Sequence, residues 1–181
     1  MSFQERIKTA SEFEVELIEH LNSIGWPAFP FGQAQLPEAC RRRLSRFEDG
    51  SRRPSRIRWM PDIITYRDLV SGRSFVALID AKESNPKYDN YSIEKSAMET
   101  CEIYADQLYT PTFFVFSDYR VLTPMEVRQR AFEPPHRDNM QGSGTPFFLV
   151  KKKFARPFAH FFPASKVANE NSERRVLSDV R

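Results

Sequence analysis

The sequence predicts an α/β fold, a central mixed β-sheet flanked by helices in the order α-β-β-β-α-β. Three observations predict it. Helical and strand periodicities alternate along the chain, with short runs of β-branched and aromatic residues between amphipathic stretches. Two of those runs, Arg58 to Tyr66 and Phe75 to Glu83, are joined across Asp68 to Arg73 through Ser71-Gly72, a connection so short that it favours an antiparallel hairpin. A helical segment then separates the second run from Thr112-Phe113-Phe114-Val115-Phe116, and a helical crossover makes the strands it joins parallel.

The first helix runs from about Gln4 to Ile24, with Phe13, Leu17, Leu21 and Ile24 on one stripe, Glu12, Glu14, Glu16 and Glu19 on its polar side, and Gly25 at its end. Trp26 to Gln35 holds a short strand punctuated by Pro27, Pro30 and Gly32. The hairpin strands follow. Ser84 to Asn90 is a loop, and Ser92 is an N-cap with Glu94 in the first turn of a helix that carries Ile93, Ala97, Cys101, Tyr104 and Leu108 at helical spacing. After the buried strand at Thr112, a short helix is expected over Met125 to Phe132, a loop over Pro134 to Pro146 and a strand over Phe147 to Val150.

With 40% apolar and 28% charged residues and 16 Phe, the 181-residue chain has the material for a packed core. The expected organisation is one domain over residues 1–164 with a basic insertion at 40–58, then a flexible polar tail at 165–181. No apolar run approaches the length of a membrane span and no export signal is evident, so a soluble intracellular protein, cytoplasmic or nucleoid-associated, is expected. Cys40 and Cys101 are too few for a disulfide framework and are not spaced as a zinc site; Cys101 falls on an apolar helix face, where core packing is its expected role.

Charge is unevenly distributed. Arg41, Arg42, Arg43, Arg46, Arg52, Arg53, Arg56 and Arg58 stand against Glu48 and Asp49, a local +6 in a chain of net +3. Such a stretch is either a solvated loop or a grip on phosphates, which arginine contacts bidentately; its position just before Pro61-Asp62 favours nucleic acid. Lys151-Lys152-Lys153 with Arg156 either extends that surface or guards a sheet edge.

The residues that carry chemistry are Pro61-Asp62 and Asp80-Ala81-Lys82. Residues i and i+2 of a strand share a face, so Asp80 and Lys82 project together while Ala81 turns to the core. Two carboxylates beside an ammonium suit a hard divalent cation next to a phosphate. Glu14 on the first helix, Pro61-Asp62 at the start of one strand, Asp80-x-Lys82 at the end of the next, and the helix and strand that follow together resemble the PD-(D/E)xK nuclease superfamily, whose fold is restriction-endonuclease-like, with the site carried on a hairpin of the central sheet. The resemblance covers roughly Glu12 to Phe116, with Glu16 competing for the place of Glu14.

That resemblance implies a metal-dependent endodeoxyribonuclease acting in repair, recombination or restriction. It implies Mg²⁺, with Mn²⁺ as substitute, bound by Asp62, Asp80, the carbonyl of Ala81 and, directly or through water, Glu14. Lys82 would orient and activate the attacking water. DNA is the implied substrate, RNA staying open, with Arg41, Arg42, Arg43, Arg52, Arg53, Arg56 and Arg58 as its contacts and a homodimer as the expected assembly. The alternative is a non-catalytic nucleic-acid-binding protein that keeps the fold. Neither Lys95 nor Gln107 is clearly placed to complete the site from the second helix. His20 and His160 read as structural and His136 as a loop residue; Tyr88 and Tyr91, on either side of the loop after Lys82, either stack on a base or pack beneath that loop.

Overall fold

A computed structural model describes residues 3–32, 35–37, 39–40, 59–69, 71–132, 136–137 and 146–165. The basic stretch from Arg41 to Arg58 and the tail after residue 165 lie outside the described residues. Helix α1 (Phe3–Ser23) comes first. It ends where Gly25 takes a φ of 83°, a left-handed conformation that costs glycine no Cβ clash.

A six-stranded sheet follows in the order β1-β2-β3-β5-β6-β9, built from β1 (Ala28–Pro30), β2 (Ile63–Asp68), β3 (Ser74–Lys82), β5 (Thr112–Phe116), β6 (Arg120–Leu122) and β9 (Arg156–Pro157). β2 and β3 form the expected antiparallel hairpin, with Ile63 opposite Ile79. β3 and β5 run parallel, Asp80 opposite Phe114 and Lys82 opposite Phe116, so the sheet is mixed as the crossover requires.

The crossover itself differs from the sequence reading. Ser92 does not cap a helix: it lies in β4 (Asn90–Glu94), whose alternating burial marks a strand and which pairs with β8 (Pro146–Lys151). Tyr91 and Ile93 point into the core on one side of that strand, and this burial outweighs the local preference of Ser92 for a helix start. The helix α2 (Lys95–Glu102) begins only after it, and gives way to a π-helical turn at Ile103–Gln107. Leu108, expected on the buried stripe, is 57% exposed because the wider turn rotates it away. The expected loop before Pro146 contains β7 (His136–Arg137), which pairs with β8 and makes β4-β8-β7 a second sheet. α3 (Pro124–Arg130) follows β6 and opens on a capping box between Thr123 and Glu126; α4 (Phe158–Phe161) follows β9.

The large sheet separates two apolar clusters. On one face Phe13, Leu17 and Leu21 of α1 pack with Trp26, Ile63, Ile79, Val115 and Phe162. On the other, Met98 and Cys101 of α2, Val127 of α3 and Tyr91, Ile93, Phe148 and Val150 of the small sheet pack on Phe114 and Phe116. Full burial of a Phe, Leu or Ile side chain contributes about 1.5–3 kcal/mol, and both clusters contain several. Strand β3 lies between the clusters, so consecutive residues face different layers. Ala81 packs toward α1, while Asp80 and Lys82 share the face of Phe114 and Phe116. Among the described residues no helix is long and apolar enough to cross a membrane.

Candidate metal and phosphodiester site

The chain arrives at the site through Pro61. Asp62 is held on both sides before β2 begins: its N–H donates to the Ile79 carbonyl at 2.9 Å, and its own carbonyl accepts from Phe31 N–H at 2.7 Å and Gly32 N–H at 3.2 Å. Its carboxylate Oδ2 accepts from the Ala81 N–H at 2.9 Å, which fixes the side chain against the end of β3. Gly32 has to be a glycine for reasons of space. A Cβ there would lie 2.9 Å from the Pro61 carbonyl oxygen, 3.2 Å from Asp62 Cα and 3.3 Å from Asp62 Oδ1.

Asp80 is buried, 3% exposed, at the centre of the sheet. Its Oδ1 lies 2.7 Å from Lys82 Nζ, an ion contact that is not a well-directed hydrogen bond; among the described residues that buried oxygen has no hydrogen-bond partner. Its Oδ2 is 4.0 Å from the Cys101 thiol, so Cys101, a core residue, also borders the site. Lys82 Nζ has a second carboxylate at 3.4 Å, Glu94 Oε2. The sequence reading had placed Glu94 only in a helical first turn. It sits where β4 ends and α2 begins, and the pairing of β4 with distant β8 that brings it there has no local signature.

The electrostatics couple these groups. Burial raises the carboxyl of Asp62 well above its usual range; the charges of Asp80 and Glu14 add to this, and Lys82 and the Ala81 N–H oppose it. Burial likewise raises Asp80, with Lys82 opposing and Glu94 adding. Glu14 is raised by burial and by Asp80, against Lys82. For Lys82 burial lowers the ammonium's pKa, but Asp80, Glu94 and Asp62 outweigh it and the net shift is well upward. An isolated buried charge is costly, and here anions outnumber the one buried cation.

Glu14 therefore lies within electrostatic range of Asp80 and Lys82, whereas its competitor Glu16 accepts the Tyr119 hydroxyl at 2.8 Å. Lys95 pairs with Glu99 at 3.7 Å, and Gln107 falls in the exposed part of the π-turn. Tyr91 is core: it stacks on Phe116 at 3.7 Å and donates to Asp118 at 2.7 Å, while Tyr88 is 65% exposed. His20 packs on Tyr119 and Phe158, and His160 lies 3.1 Å from an Arg156 nitrogen.

The donor set can be tested against a cation. Among the described residues no three acidic, histidine or cysteine side chains stand close enough to enclose an ion by themselves. Mg²⁺ does not need such a cage, since it keeps several waters and takes one or two carboxylates plus phosphate oxygens. A buried Asp80 oxygen without a hydrogen bond, next to an Asp62 carboxylate tied down on one oxygen, fits that requirement.

The architecture has a solved counterpart. Hjc, a Holliday junction resolvase from Archaeoglobus fulgidus, aligns at 13% identity with a TM-score of 0.50, over 87% of this chain and 98% of that one. The chain has a restriction-endonuclease-like fold. A nuclease from a fusselovirus aligns at 14% identity and a TM-score of 0.40, over 93% of this chain and 92% of the other. No protein-family model and no curated protein matches the sequence. In the restriction-endonuclease-like fold of this chain, the hairpin β2-β3 carries three of the four residues that the sequence singled out, and α1 carries the fourth.

Proposed function

We propose that the chain is a metal-dependent nuclease that hydrolyses internal phosphodiester bonds of DNA, in repair, recombination or restriction. The observation that carries this reading is the convergence of Asp62, Asp80 and Lys82 at one end of the hairpin, with a buried Asp80 oxygen lacking a hydrogen bond. Asp62, Asp80 and the carbonyl of Ala81 would hold Mg²⁺ or Mn²⁺, with Glu14 beyond them. The ion would supply Lewis acidity and a bound water of lowered pKa. The ammonium of Lys82 supplies the positive charge that steadies an attacking water and the charge developing on phosphate, and Glu94 keeps it oriented. Ala81 N–H holds the Asp62 side chain in place, so the acid faces the substrate without searching rotamers.

The chain is proposed to act as one domain through residue 164, inside the cell and as a homodimer, with Arg41 to Arg43, Arg52, Arg53, Arg56 and Arg58 on the DNA backbone. Branched DNA is the first substrate to try, since the structural counterpart is named for a junction. The deciding experiment incubates duplex, single-stranded and four-way-junction DNA with wild type and Asp80→Ala, in Mg²⁺, Mn²⁺ or EDTA. Metal-dependent cutting by wild type and not by Asp80→Ala supports the reading. DNA that is bound but uncut under every condition refutes it and leaves a binding protein.

A further inference from the structure

The basic residues near the C-terminus fall into two groups. Lys152 is engaged inside the protein: Nζ donates to Ser84 Oγ at 3.0 Å and to the Asn85 carbonyl at 2.9 Å, tying down the loop that follows Lys82. Arg156 pairs with Glu126, and Arg128 with Glu102. Three cations remain. Lys153 Nζ and Arg130 Cζ lie 5.3 Å and 5.2 Å from the centre of the same ring, Phe154, and Lys151 Nζ lies 5.9 Å from that of Phe132. Among the described residues none of the three has a carboxylate partner.

Two like charges gathered on one ring repel each other, and the ring's quadrupole offsets only part of that repulsion. A shared anion between them would remove the rest. The position suggests which anion. Lys151 lies opposite Asn90 in the β4-β8 pairing, four residues from Glu94, and Glu94 touches Lys82. At roughly 3.3 Å per residue this is about 13 Å along the strands. DNA spans that distance in about four nucleotides at 3.4 Å each per strand.

We propose that Arg130 and Lys153 on Phe154, with Lys151 on Phe132, form a second nucleic-acid contact that grips a backbone phosphate about four nucleotides from the scissile bond. This deepens the nuclease reading, and rests on it only for the path between the two points. The arginine-rich stretch before Asp62 and this patch then hold separate parts of the substrate.

The test measures binding of fluorescent duplex DNA in EDTA, where nothing is cut, as a function of salt. Arg130→Gln, Lys153→Gln and the double variant are compared with Arg73→Gln, which removes one charge at the exposed β2-β3 turn. All four positions are exposed, and melting curves confirm that each variant is folded. Each patch substitution is expected to lower the slope of log affinity against log salt by about 0.9, and the double variant by about 1.8, since each lost contact releases fewer counterions. Arg73→Gln is expected to leave the slope unchanged. Unchanged slopes in the patch variants, an equal fall with Arg73→Gln, or no binding by wild type overturns the proposal. Wild-type cutting with unchanged variant slopes removes only the patch; lowered slopes without cutting on adding Mg²⁺ remove only the nuclease.

Discussion

Replacing Gly32 by alanine tests how tightly the Asp62 carboxylate is positioned. The added Cβ would meet the Pro61 carbonyl oxygen at 2.9 Å and Asp62 Cα at 3.2 Å, both backbone atoms, so no side-chain rotation relieves the clash. Ordinary contacts begin near 3.4 Å, and the Pro61-Asp62 backbone would have to retreat by about half an ångström. That retreat stretches the hydrogen bonds from Phe31 N–H and Gly32 N–H to the Asp62 carbonyl. Forced overpacking of this kind typically costs about 1–3 kcal/mol. In a chain of this size each kcal/mol lowers the melting temperature by about 2–4 °C, so Gly32→Ala should melt several degrees early. The effect on chemistry should be larger, because displacing a reacting group by about 1 Å can cost on the order of 100-fold. Thermal melting, Mn²⁺ titration and cleavage of the preferred substrate are measured on the same preparation. A variant that melts with wild type and binds Mn²⁺ equally well would refute the claim that Gly32 positions Asp62.

Asp62→Asn should stabilise the metal-free protein at neutral pH while abolishing cutting. A carboxyl whose folded pKa is raised holds its proton longer in the folded state, so wild-type stability falls as pH climbs from the ordinary 3.8 through the raised value; the variant, by about 0.5–2 kcal/mol, escapes that fall. Melting curves in EDTA across acidic to neutral pH check this, and an Asn variant less stable than wild type at neutral pH contradicts it. Glu94→Gln takes away one of the anions that hold the Lys82 ammonium protonated, so the alkaline limb of the pH–rate profile should move to lower pH; an unmoved limb separates Glu94 from Lys82. Thr123→Ala removes the acceptor for Glu126 N–H at 3.2 Å and should cost about 1 kcal/mol of stability with no change in metal affinity, measured by urea unfolding and metal titration.

The parts of the fold legible in the sequence are those that depend on near neighbours. Ser71-Gly72 and the two flanking runs define the hairpin, and the apolar run from Thr112 to Phe116 defines a strand buried on both faces. Asp80 and Lys82 share a face by strand periodicity alone. What escaped reading depends on distant partners. Tyr91-Ser92-Ile93 resembles a helix start until Phe148 and Leu149 supply a strand to pair with, and Glu94 reaches Lys82 only as a result. The π-turn at Ile103 shows in backbone hydrogen bonding and not in the spacing of Tyr104 and Leu108. The lysine triplet reads as one cluster, yet successive residues in the 3₁₀ turn after β8 face different surroundings, so Lys152 is tied to Ser84 and Asn85 while Lys153 rests on Phe154.

The hydrogen bond between Gly32 N–H and the Asp62 carbonyl also bears on how the chain tolerates change. The sheet is left at Gly32 and rejoined at Asp62, 3.2 Å away, so everything between those residues is an excursion whose two ends already meet. Lengthening a closed excursion costs only about 0.6 kcal/mol for each doubling. Substrate preference can therefore diverge there by insertion, deletion or wholesale exchange, while the acids a bond away keep their register.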